Sequence, residues 1–235
     1  MTAQTADEVD QNSRGLYQAG GISMMIVGLL YFAFVALLVA LGSSFSSSEA
    51  ALKSFAGEAP TVQAAFGLGI LADLFFIPAV VALYSALSAI NRNAMVVAAG
   101  FLGLYIVLDF AITDLNFLAL IPLSKNYLAS TSDIQRAAYL AAADYGLAVI
   151  AISAPISSYL VPSIGILIAS LVMLKGIFSR GVAILGMVTA VLGGVYASTF
   201  VLPGFLPGGF VAVTTILSGI WLVLVGAKIY QLGRH

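Results

Sequence analysis

Long apolar runs separated by short polar stretches dominate this chain, and the lengths of the runs define the predicted elements. About 20 helical residues cross the hydrocarbon of a bilayer. Runs of that kind predict spans at residues 22–41, 62–87, 94–120, 154–174, 182–201 and 210–229. Residues 1–19 are polar, with Asp7, Glu8 and Asp10 against Arg14, and read as a disordered or interfacial cytoplasmic tail ahead of one membrane domain, 20–235. The tail lacks the basic start and small-residue cleavage site of a secretory signal, so span one is expected to stay as an anchor.

The polar stretches carry their own signals. Residues 42–60 place Ser46 three positions before Glu49, capping-box spacing for a short surface helix. Span two contains Asp73, with Tyr84 eleven residues on and so on the same face, and Pro78, which is expected to kink it or free a carbonyl. The connection AINRNA, holding Arg92, turns the chain back, and a loop is expected over 122–133. The run 132–175 exceeds one crossing, so Pro155 and Pro162 are expected to divide it into a helix at 132–152 and span four. Ser132 and Gln135 form a second capping-box pair, and Lys175-Gly176 makes a helix stop.

Basic residues orient the spans. With six crossings Arg14, Arg92, Lys175, Arg180, Lys228 and Arg234 share one side, and Lys53, Lys125 and Arg136 the other, which favours both termini inside. A seventh crossing at 132–152 would move the basic residues from Lys175 onward outside. That helix is therefore expected to lie on the outer face. The fold class is all-α: an integral membrane bundle of six transmembrane helices plus an interfacial helix between spans three and four.

Against this apolar background the acids stand out. At about 100° per residue, Tyr105, Asp109, Thr113 and Asn116 fall on one face of span three, with Asp114 off that stripe. An acid at the centre of a span costs about 2.5–3.5 kcal/mol on insertion scales, so such groups face the bundle interior. Asp73, Asp109, Asp114 and Asp144 all fall toward the outer leaflet, with no lysine or arginine inside a span to pair them. One reading makes Asp73 and Asp109 a proton or cation site, with oxygens from Thr113, Asn116 and tyrosines such as Tyr105. The other makes them hydrogen-bonded struts between helices, with Asp114 and Asp144 solvated or paired to Lys125 or Arg136. Span five carries Gly186, Ala190, Gly194 and Ser198 at four-residue spacing, a small-residue stripe for close packing.

Composition narrows the chemistry. Of 235 residues 61% are hydrophobic and 8% charged, against about 25% charged in ordinary globular domains. There is no cysteine, and the single histidine is His235. Thiolate sites, histidine-held haem or zinc and histidine-based triads are excluded, and no phosphate loop or metal motif appears. Two acids in adjacent spans invite comparison with intramembrane aspartyl proteases, but neither the YD nor the GxGD signature is present. No span holds a lysine for a retinal Schiff base. A net charge of -1 gives no reason to expect nucleic-acid binding. No catalytic residue, cofactor or metal is expected.

Several runs, LYSALSAINRNAM, VLDFAITDLNFLALIPLSKNYLAS, DIQRAAYLAAADYGLAV and PSIGILIASLVMLKGIFSRGVAILGMVTAVLG, resemble in order and spacing a prokaryotic family of small multi-pass membrane proteins, the DUF4386-like proteins. The likeness covers most of the chain from span two onward. It implies a helical protein of the prokaryotic cytoplasmic membrane and brings no activity, cofactor or catalytic residue with it. Two functions remain in view: a non-enzymatic membrane module that packs with copies of itself or with partner proteins in the lipid bilayer, and a small ion- or proton-coupled carrier or sensor that uses the acidic cluster.

Overall fold

The computed structural model describes residues 4–41, 47–201 and 209–234, and these are almost entirely helical, without a strand. The helices are α1 (Gln4–Leu41), α2 (Ser48–Gly57), α3 (Ala59–Leu108), α4 (Leu115–Ala129), α5 (Asp133–Ala154), α6 (Val161–Met173), α7 (Arg180–Ala197) and α8 (Phe210–Leu232). Two π-helical segments, Asp109–Asp114 and Pro155–Leu160, join α3 to α4 and α5 to α6. Five continuous helical runs are long and apolar enough to cross a membrane: Arg14–Ala40, Ala59–Ala129, Asp133–Met173, Arg180–Ala197 and Phe210–Leu232.

The run Ala59–Ala129 folds back on itself at Asn91, whose φ of -155° and ψ of 91° are the non-helical backbone angles inside α3. Asn91 then caps the second limb, its Oδ1 accepting the Ala94 N–H at 3.1 Å. Contacts nest about this bend: Phe76 packs on Tyr105, Asp73 bonds Tyr105, Gly69 sits beside Asp114, and Phe66 stacks on Phe117. The predicted reversal near Arg92 is thus an antiparallel hairpin. Pro78, by contrast, lies within the first limb without a break in helical angles.

Other expectations are corrected. The disordered alternative for the polar tail gives way to helix: the chain is helical from Gln4 as part of α1. The expected loop at 122–133 is helix as far as Ala129, because Leu120, Ile121 and Tyr127 are buried against Leu52, Phe55 and Ala143 in a second small core formed with α2 and α5. Packing there outweighs the helix-breaking tendency of Pro122. The run 133–173 is not divided at Pro155 either. The π-turn beginning at Pro155 absorbs the lost N–H, and 41 residues continue as one helix about 60 Å long.

Caps differ in detail. Ser46 lies outside the described residues, and α2 is capped by Ser47, whose hydroxyl accepts the Ala50 N–H at 3.1 Å. Ser132 occupies the N-cap of α5 without a side-chain cap bond; its neighbour Ser130 bonds Gln135 Oε1 at 3.1 Å. The stop at Lys175-Gly176 closes as expected, with both N–H groups turned back onto Val172 and Met173 carbonyls at 3.1 Å. Except for Gly209, the connection 202–209 between spans five and six lies outside the described residues.

Glycines set the tightest packing. α1 and α8 run antiparallel with Gly21 and Gly28 of one against Gly226 and Gly219 of the other. A Cβ at Gly21 would stand 2.6 Å from the Tyr230 nitrogen, at Gly28 2.6 Å from the Gly219 carbonyl, and at Gly226 2.7 Å from the Gly21 carbonyl. Only glycine allows backbones this close. The stripe read on α7 holds for Gly186 and Ala190, both buried, but not for Gly194, whose Cβ would meet nothing within 4 Å, or for Ser198, which lies in a 3-10 turn and donates to the Val195 carbonyl. Four-residue steps drift about 40° each around a 3.6-residue helix. Gly193 and Ala197 take the buried positions instead.

These contacts sort the ends of the bundle. Gly233 packs on the Arg14 carbonyl, Gly176 on Ile90 and Leu87 beside the Asn91 bend, and Lys228 beside Ile177, Ser179 and Val182. α2 and the turn between α4 and α5 form the opposite end.

Candidate functional site

A cavity of about 520 Å³ opens within the bundle, walled by residues of α1, of α3 to α8 and of both π segments. Asp73, Asp109 and Asp114 all line it, with Tyr31, Tyr105, Thr113 and Ser158. Among the described residues no lysine, arginine or histidine does.

Asp73 comes from the first limb of the α3 hairpin and is 3% exposed. Its Oδ1 accepts the Tyr105 hydroxyl at 3.1 Å, and that hydroxyl lies 2.8 Å from the hydroxyl of Tyr31 on α1. Tyr84, expected beside Asp73, is not part of the wall. The chain of two phenols and a carboxyl ties three helical limbs together. Its α1 member, Tyr31, was not among the expected site residues, and its only mark in the sequence is a hydroxyl within a largely apolar run.

The two π segments pack directly against each other in the cavity wall. Thr113 Oγ1 lies 3.1 Å from Ser157 Oγ, and Ser158 donates to Asp109 Oδ1. In the first segment the Leu115 N–H reaches back five residues to the Phe110 carbonyl, and in the second the Val161 N–H reaches the Ile156 carbonyl. Bonding at i→i+5 places Asp109 and Asp114 one turn apart on the same face. This corrects the stripe read at α-helical spacing: Asp114 joins it, 5% exposed, and Asn116 leaves it, its amide donating to the Ile112 carbonyl at 2.5 Å. Ser157, Ser158 and Tyr159 were also missed, although the polar triplet sits between two prolines in PISSYLVP.

Asp144 is elsewhere. It is exposed on α5 and accepts a hydrogen bond from Ser48 of α2, so three of the four carboxylates converge and the fourth does not. Lys53 pairs with Glu49 at 2.7 Å on α2, and Arg136 donates to the Ser130 carbonyl. Glu49 also accepts the Tyr127 hydroxyl at 3.0 Å. The ammonium of Lys53 holds the Glu49 carboxyl below its ordinary pKa, and the same pair raises that of Lys53.

Most hydroxyls around the cavity are internally satisfied: Thr189, Thr214 and Ser218 donate to carbonyls of their own helices at 2.8–3.1 Å. Of the lining side chains, two keep a buried oxygen without a hydrogen-bond partner among the described residues, Asp73 at Oδ2 and Asp114 at Oδ2. An ionised carboxylate in a low-dielectric interior costs several kcal/mol unless a positive group or donors meet it. Three of them in one wall, with no base, favour positive charge in the space between. No three carboxylates among the described residues are placed to hold a metal ion. The rest of the wall is apolar and aromatic, with Phe66 stacked on Phe117 at 4.1 Å, Phe76 edge-on to Tyr105 at 5.6 Å and Tyr159 against Tyr196 at 4.3 Å.

No family model, curated protein or solved structure matches this chain.

Proposed function

We propose that this chain is a non-enzymatic carrier or sensor of the prokaryotic cytoplasmic membrane, affiliated with the DUF4386-like family it resembles, whose acidic cavity takes up a proton or a small cation. The observation that carries this reading is the cavity itself: three carboxyls, two with unpartnered buried oxygens, and no base in the wall. A purely structural acid needs a partner and no cavity. In this reading the bilayer is crossed six times, by α1, by the two limbs of the hairpin bent at Asn91, by the run from the end of α5 through α6, by α7 and by α8, with both termini inside. Support comes from the ends of the bundle, where Arg14, Lys228 and the Asn91 bend gather away from Lys53 and Arg136. The hairpin of α4 and α5 with α2 then forms an outer layer.

Thermal unfolding of the detergent-purified protein across pH and a panel of monovalent and divalent cations tests the reading, since ligands that bind only the folded state raise its stability by mass action. The expected result is a pH-linked or cation-linked rise in Tm for wild type that Asp73→Asn and Asp114→Asn both abolish. Equal profiles for all three proteins would reduce the acids to packing and return the chain to a module that associates with itself or with partners.

A further inference from the structure

The geometry points to a protonated organic amine with an aromatic body as the ligand of this cavity, its N–H groups donating to the carboxyls of Asp114 and Asp73, which line it. The inference rests on the cation-binding reading above and narrows it to a chemical class. Asp114 packs over Gly69, where a Cβ would lie 3.3 Å from Asp114 Oδ1. Asp73 follows Gly69 by one helical turn. The Asp114 carboxyl therefore lies beside the α3 limb about one helical turn from Asp73, on one wall of the cavity. Both are acceptors, so the group that satisfies them carries donors as well as charge. The level of the acids is bracketed by rings, the Phe66–Phe117 stack on one side and Tyr105 on the other. Aromatic faces attract a desolvated ammonium and bury an apolar body.

The competing cations fit less well. A hard inorganic ion wants six or more oxygens around one point, and the described carboxylates do not converge in that way. A proton alone needs no space, whereas about 520 Å³ lies within the 300–1,000 Å³ of pockets that enclose drug-sized ligands.

Dibenzylamine, cationic at pH 7 with two N–H donors and two rings, is the probe. Dibenzyl ether removes charge and donors, and dibenzyldimethylammonium keeps the charge without donors. Unfolding is followed by the fluorescence of Trp221, the single tryptophan, which is fully buried. Dibenzylamine is expected to raise Tm in a saturable manner, with apparent affinity at least about tenfold above both analogues. Asp73→Asn and Asp114→Asn are each expected to weaken it about tenfold or more, and Asp144→Asn to leave it unchanged. Equal effects of the amine and the ether on wild type would overturn the inference even where the variants fail to fold. Stabilisation by protons, sodium or potassium that depends on Asp73, without any by dibenzylamine, would overturn the amine and leave the cation-binding reading standing. Silence from every ligand would remove both.

Discussion

At the scale of single residues, the phenol of Tyr105 is the hinge of the polar network, because it donates to Asp73 while facing Tyr31. Tyr105→Phe removes both bonds and leaves Asp73 without a protein partner; interhelical bonds of this kind are worth about 0.6–1.7 kcal/mol in membrane proteins. A loss of that size in reversible unfolding is expected. Asp144→Asn, on an exposed position, is expected to stay within about 0.5 kcal/mol of wild type in the same measurement. The pair of Glu49 and Lys53 gives a pH signature. Glu49 has its pKa lowered on folding, so its contribution is present above the ordinary glutamate range and lost as pH falls through the lowered value. That of Lys53 is raised, and its contribution is lost as pH rises through the raised value. Amide exchange in α2 is therefore expected to show protection over the broad range between, falling at both extremes; uniform protection would contradict the pairing.

At the scale of elements, what was legible in the sequence was length and polarity, and what was not was register. Apolar runs gave the helices, and Asp73 and Asp109 were placed in one site, because burial of an acid is costly wherever it occurs. The π segments were invisible, since the residue pattern that widens a turn at 109–114 or 155–160 is set by what packs against it. As a result Asp114 was read off the site and Asn116 on it. Proline was overread for a related reason: Pro155 and Pro162, expected to divide a helix, both sit inside the continuous run Asp133–Met173. The glycine seam of α1 and α8 escaped notice because Gly21 and Gly28, like Gly219 and Gly226, are seven residues apart rather than four. On α7 the corrected register makes a clear prediction. Gly194→Ala meets open space and is expected to stabilise by up to about 1 kcal/mol through helix propensity. Gly186→Ala drives a methyl into Nε1 of the rigid Trp221 indole and is expected to destabilise by about 1–3 kcal/mol, as overpacking does. Reversed signs would mean that α7 is rotated.

At the scale of the whole molecule, a glycine seam, a helical hairpin bent at Asn91 and two packed π-turns border a half-open space that no packing argument requires. Close packing is the rule in protein interiors, so a cavity of about 520 Å³ walled by three acids is a feature to be explained by what enters it. The α1 and α8 seam holds the wall on one side. Gly226→Leu, which forces those helices apart, is expected to abolish ligand-dependent stabilisation along with much of the stability. The most direct test of the central claim is carbodiimide modification in native membranes. A hydrophobic carbodiimide adds across a protonated carboxyl inside the membrane, and mass spectrometry locates the adduct. The account predicts modification at Asp73, Asp109 or Asp114, slowed by a cation that fills the cavity. Modification confined to Glu49 and Asp144, or adducts on the cavity acids that no cation slows, would contradict it.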